Sequence, residues 1–141
     1  MREILFRGKR VDTIGNGEWI EGYYAAEPYV ENTYNRGYIL ENEKDLYAKK
    51  AYFVDSRTVG QYTGLTDKNG KKIFEGDVVK YKSGSTVLFH KVVFERRNGC
   101  AYFGIVVGEN ETWGFNNSFP STLFEIAGNI HDNPELLEVD K

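Results

Sequence analysis

Thr58-Val59-Gly60-Gln61-Tyr62-Thr63-Gly64-Leu65-Thr66-Asp67-Lys68-Asn69-Gly70-Lys71-Lys72-Ile73-Phe74-Glu75-Gly76-Asp77-Val78-Val79 is the stretch that decides the fold. Thr58, Val59, Tyr62 and Thr63 among its first six residues are β-branched or aromatic, as a strand prefers. Asp67 and Asn69-Gly70 then mark a hairpin turn, because Asx side chains bond their own turn backbone and glycine accepts a positive φ. Glu75-Gly76-Asp77 marks a second sharp bend, which feeds a further strand at Val78-Val79-Lys80-Tyr81. Leu65, Ile73 and Val79 are suited to a core, as is Ile126 further along.

Outward from this block the chain keeps the same rhythm. Ala51 to Asp55 reads as a strand, separated from the block by a Ser56-Arg57 corner. Residues 2–24 read as a hairpin about the turn Ile14-Gly15-Asn16-Gly17. Thr86 to Glu95 and Ala101 to Val107 pair around Arg97-Asn98-Gly99, and Thr122 to Ile130 is a last strand. Asn133-Pro134-Glu135-Leu136-Leu137 predicts a short C-terminal helix, with an N-cap residue, proline at the first helical position and an acid in the first turn. Residues 25–50 are less regular and rich in tyrosine; Tyr38-Ile39-Leu40 is a candidate strand and 41–48 a candidate helical turn or two. Seven to nine short strands with evenly spaced turns predict a mainly β protein. The expected architecture is one domain over residues 1–141. Its core, at about 58–107, is a small antiparallel SH3-like barrel or a sandwich, with the N-terminal hairpin and the short C-terminal helix packed on it.

Composition narrows the function classes. The 141 residues carry 15 glycines, 3 prolines and 19 Phe and Tyr, which excludes a coiled coil, a collagen-like chain and a disordered tail. The net charge of −3 argues against a protein that coats nucleic acid non-specifically. That charge is unevenly spread: residues 1–66 sum to −1, residues 67–97 to +4 and residues 98–141 to −6. Cys100 is the one cysteine, so no internal disulfide forms, in keeping with a reducing cytoplasm. No apolar run reaches signal-peptide or membrane-span length, and no membrane association is expected.

Catalytic and metal chemistry find little support. His90, His131 and Cys100 lack metal-ligand spacing, and Asp67, Asn69 and Asp77 do not make a calcium loop. Cys100 and His90 sit on strands that pair around residues 97–99, but that pairing places Cys100 opposite Glu95 or Arg96. There is no nucleophile elbow, and Gly60 and Gly64 lack the ending of a phosphate loop. Glu75 and Asp77 are best read as turn caps. No catalytic residue, cofactor or metal is expected.

The block at residues 58–79 strongly resembles the hallmark of the YopX family. Arg2-Glu3-Ile4-Leu5-Phe6-Arg7 resembles that family's opening, and Phe124 to Leu137, with Ala127-Gly128-Asn129-Ile130-His131-Asp132-Asn133-Pro134, resembles its ending. The resemblance implies a small, mostly β protein of a bacteriophage or prophage, located in the cytoplasm of the bacterial host. It implies no activity, since turn and core residues make up the motif.

Two surfaces remain as candidates. Lys68, Lys71, Lys72, Lys80 and Arg97, with Tyr81 and Phe89 among them, form a basic stretch that can contact single-stranded nucleic acid. Tyr29, Tyr34, Tyr38 and Tyr47 belong to a group of seven tyrosines between Tyr23 and Tyr52, a composition suited to a protein interface. The favoured expectation is a non-enzymatic protein-binding or self-assembling module, a homo-oligomer or a binder of a phage or host protein. Single-stranded nucleic-acid binding is the alternative.

Overall fold

A computed structural model describes residues 4–11, 17–26, 36–40, 51–109 and 111–138. Among these residues there are ten strands: β1 (Phe6–Arg10), β2 (Trp19–Ala26), β3 (Arg36–Leu40), β4 (Ala51–Thr66), β5 (Lys72–Phe74), β6 (Asp77–Ser83), β7 (Thr86–Arg97), β8 (Cys100–Val107), β9 (Glu111–Gly114) and β10 (Glu125–Asn129). Two short 3₁₀ turns, Ser121–Leu123 and Pro134–Leu137, complete the set. The fold is mainly β and antiparallel, as expected. The chain divides into two compact units, Met1–Tyr62 and Thr63–Lys141, with the boundary inside β4.

In the first unit, β1 pairs with β2, β2 with β3, β3 with β4, and β4 again with β1, which closes a ring. Its centre holds Ile39 and Val54, both fully buried. Gly8 and Gly22 let neighbouring strands close over them: a Cβ at Gly22 would lie 2.2 Å from the Leu40 carbonyl oxygen. The corner expected at Ser56-Arg57 is an irregularity within one long strand. The register against β1 jumps between Gly60 and Asp55, opposite Arg7 and Lys9. The Asp55 carboxylate there accepts from the Arg57 backbone and guanidinium, while Thr58 Oγ1 donates to the Asp55 carbonyl and accepts from Lys9 N–H. Side-chain bonds replace the missing ladder bonds, so the strand bends without ending.

The second unit is organised by β7. Its first half, Thr86–Lys91, pairs with β6, and its second half, Val92–Arg97, pairs with β8. One strand thus serves two ladders, and the sheet runs β10-β6-β7-β8-β9. The last strand returns beside the first after the 3₁₀ turn at Ser121–Leu123, an SH3-like arrangement of five strands between Asp77 and Asn129. Alternation puts Val92 on the inner face with Ile105, its partner on β8, and Val79 of β6; all three are buried. Phe124 closes this core, with the rings of Tyr81, Phe115 and Phe119 at 5.7, 5.9 and 5.2 Å. Leu65, expected in the core, is instead exposed, because it lies just past the positive-φ Gly64. The C-terminal helix is the single 3₁₀ turn at Pro134–Leu137, and the Asn133 side chain does not cap it.

The edge strand β9 depends on a glycine. Gly104 faces Gly114 across the ladder, and a Cβ at Gly104 would sit 2.3 Å from the Trp113 carbonyl oxygen. Backbone cannot yield as a flexible side chain does, so Gly104→Ala is expected to destabilise the protein by about 1–3 kcal/mol. Urea unfolding followed by tryptophan fluorescence measures this; an unshifted midpoint would show that β9 does not lie against Gly104.

Candidate functional site

The hairpin between β4 and β5 positions the basic residues, and one carboxylate positions the hairpin. Asp67 is 2 % exposed. Its Oδ1 accepts from the N–H groups of Asn69 (2.8 Å) and Lys71 (2.9 Å), and its Oδ2 from Ile126 N–H of β10 (3.0 Å). The backbone adds Asp67 N–H to the Lys71 carbonyl and Lys68 N–H to the Phe124 carbonyl. Ser121 Oγ donates to the Thr66 carbonyl at 2.7 Å. Asp67 therefore fixes the turn and ties it to the segment 121–126. The second bend has a similar device, Phe74 N–H donating to the Asp77 carboxylate at 2.8 Å.

Two lysines converge as a result. Lys68 Nζ and Lys80 Nζ lie 3.4 and 3.6 Å from the same oxygen, Glu125 Oε2. The hydrogen bond from Lys68, together with the charges of Lys80 and Lys68, holds the Glu125 carboxyl below its usual range against the opposing effect of burial. Glu125, Lys80 and Phe89 form one rung across β10, β6 and β7; Lys82 and Val87 form the next. Alternation therefore puts Glu125, Lys80, Lys82, Val87, Phe89 and Lys91 on one outer face.

The sequence-level candidates divide accordingly. Lys68 and Lys80 meet at Glu125, and Lys71 and Lys72 are exposed beside the hairpin turn. Arg97 stands apart at the end of β7, opposite Cys100 and eight residues beyond Phe89, about 26 Å of strand. Tyr81 is on the inner face against Phe124, while Phe89 shares the face of Lys80. Tyr38 is half-buried and its ring lies 4.7 Å from that of Phe53, which is exposed. Tyr29, Tyr34 and Tyr47 lie outside the described residues, as does the candidate helical turn at 41–48. Lys82 belongs to the same basic stretch of the sequence, whereas Val87 and the Glu125 contact emerge only from the strand pairing. The signal was present as the two-residue spacing of Lys80 and Lys82 and of Val87, Phe89 and Lys91.

Cys100 pairs with Arg97, and His90 pairs with Val79 and places Nδ1 3.1 Å from the Val106 carbonyl. The thiol and the imidazole are thus on different rungs far along β7. Among the described residues no group of three or more His, Cys, Asp or Glu is placed to hold a metal ion. Nor is any helix among them long and apolar enough to cross a membrane.

These features define a mainly β protein whose described charged groups stabilise turns and edges and whose outer sheet face is basic. The chain belongs to the YopX protein family, whose pattern matches residues 15–138. Among solved structures it is similar to protein EF1440 from Enterococcus faecalis, with a TM-score of 0.53 and 22 % identity over 97 % of this chain and 99 % of that one. No curated protein matches it.

The Asp67 carboxyl is held below its ordinary range. Burial pushes it up, but the N–H donors of Ile126, Lys71 and Asn69 and the nearby Lys71 charge outweigh that. Since the folded value is the lower one, this contribution to stability is complete above the unfolded value of about 4 and is lost as pH falls through the folded value. Asp67→Asn is expected to cost about 2 kcal/mol at pH 7, because an amide cannot accept all three bonds. Urea melts at pH 7 and pH 3 test this: the variant should lose less stability on acidification than the parent. Equal losses would remove Asp67 as the acid-sensitive group.

Proposed function

We propose that this protein is a phage- or prophage-encoded, non-enzymatic binding module that works in the host cytoplasm by protein contact, first of all with copies of itself. One observation carries this reading. At the end of the β6–β7 hairpin, Val87 and Leu88 are adjacent, point to opposite faces of the sheet, and are each 38 % exposed. Neither face of the hairpin end is covered. A soluble protein gains nothing from a projecting arm that is apolar on both sides unless another protein covers it. The YopX resemblance supplies the phage setting, and its motif is accounted for by turns and core, which supports a module without catalysis.

The charge pattern favours protein over nucleic acid as partner. Two of the lysines considered for phosphate contact already face a carboxylate, and Arg97 stands remote from them. Size-exclusion chromatography with light scattering tests the reading. At micromolar concentration the mass is expected to exceed the 16.2 kDa of one chain, and Leu88→Ser, a change on the exposed arm, is expected to reduce it. A clean monomer for the parent protein would overturn self-assembly.

A further inference from the structure

Resting on the self-assembly reading, we infer that the C-terminal segment around Glu135, Leu137 and Glu138 docks onto the Lys80–Lys82 face of a second copy. The two surfaces match in composition. The face presents Val87 and half-buried Phe89 beside Lys80 and Lys82, with Lys68 at its margin. The segment presents Leu137, 40 % exposed, between the exposed acids Glu135 and Glu138. Each joins exposed apolar surface to flanking charge, acidic on the segment and basic on the face at Lys82, beyond the Lys68 and Lys80 pairs with Glu125.

Lys68 and Lys80 of the face share Glu125, but Lys82 and the two acids of the segment have no such match among the described residues. Among the described residues, Lys82 and Lys91 have no acidic partner at ion-pair distance, and Glu135 and Glu138 have no basic one. The fold also keeps the two apart. The C-terminal segment packs against β7, and Asn133 lies over Gly128, where a Cβ would come 2.3 Å from Asn133 Oδ1. Gly128 is the β10 partner of Val78, so the segment covers the outer face at the Val78 end. The Lys82 and Val87 end stays open, and a second copy supplies the acids that reach it.

A charge-swap experiment tests the docking. One variant carries Lys80→Glu and Lys82→Glu, the other Glu135→Lys and Glu138→Lys. Each alone is expected to associate at least about tenfold more weakly than the parent in sedimentation equilibrium at low salt. An equimolar mixture is expected to regain association, because the reversed segment of one variant meets the reversed face of the other. Recovery on mixing also shows that both variants fold. Parent protein that oligomerises while neither variant changes it would overturn this docking and leave self-assembly standing. A monomeric parent would overturn both. If the parent stays monomeric and binds a fluorescent thymidine oligonucleotide that the Lys80→Glu, Lys82→Glu variant does not, the face belongs to nucleic acid and the inference falls.

Discussion

The buried Asp67 carboxylate organises the second unit. A charge taken out of water costs several kcal/mol unless hydrogen bonds replace its hydration. Here three backbone N–H groups do so, two from its own turn and one from β10, some sixty residues on. One side chain therefore couples its own turn to a distant strand. The Lys68 N–H bond to the Phe124 carbonyl and the Ser121 bond to Thr66 follow from that docking. Phe124, at the centre of the aromatic cluster, is held on the inner side of the same segment whose next residue, Glu125, meets Lys68 and Lys80 on the outer side.

β7 divides the chemistry. Its alternate residues Val92, His90 and Leu88 face inward, ending in an exposed leucine where the core stops. Lys91, Phe89 and Val87 face outward beside Lys80 and Lys82. A sheet with one packed face and one wet face commonly alternates this way. The departure is the apolar content of the outer face at its open end, where Val87 is exposed beside Lys82.

Much of this was legible residue by residue. Asn69-Gly70, Glu75-Gly76-Asp77 and Asn98-Gly99 named their turns because positive φ has few suppliers; φ is +80° at Gly70 and +92° at Gly76. Ile73 and Val79 were legible as core. What stayed hidden depended on long-range register. Leu65 is apolar yet exposed, since Gly64 redirects the strand before it. Asp67 was legible as a turn residue, but its bond to Ile126 was not, because no local pattern encodes a partner 59 positions away. The basic residues were legible as a run; only pairing shows that Lys80 and Lys82 share a face while Arg97 lies on a distant rung. Cys100 falls opposite Arg97, one or two positions from where the turn was expected to place it.

A contact between two different surfaces of one chain has consequences for assembly. Exchanged reciprocally between two copies it closes a two-fold dimer; otherwise copies add head to tail until the rotation closes a ring or a filament extends. Its charged part is exposed and screened, and exposed ion pairs contribute only about 0.2–1 kcal/mol each. The apolar residues must then supply much of the attraction: Leu137 on one copy, Val87 and Phe89 on the other. Lysines and glutamates around them set which end meets which, since like-charged ends repel. This division of labour fits a chain that separates its charge into a +4 middle and a −6 end while its net charge stays near −3.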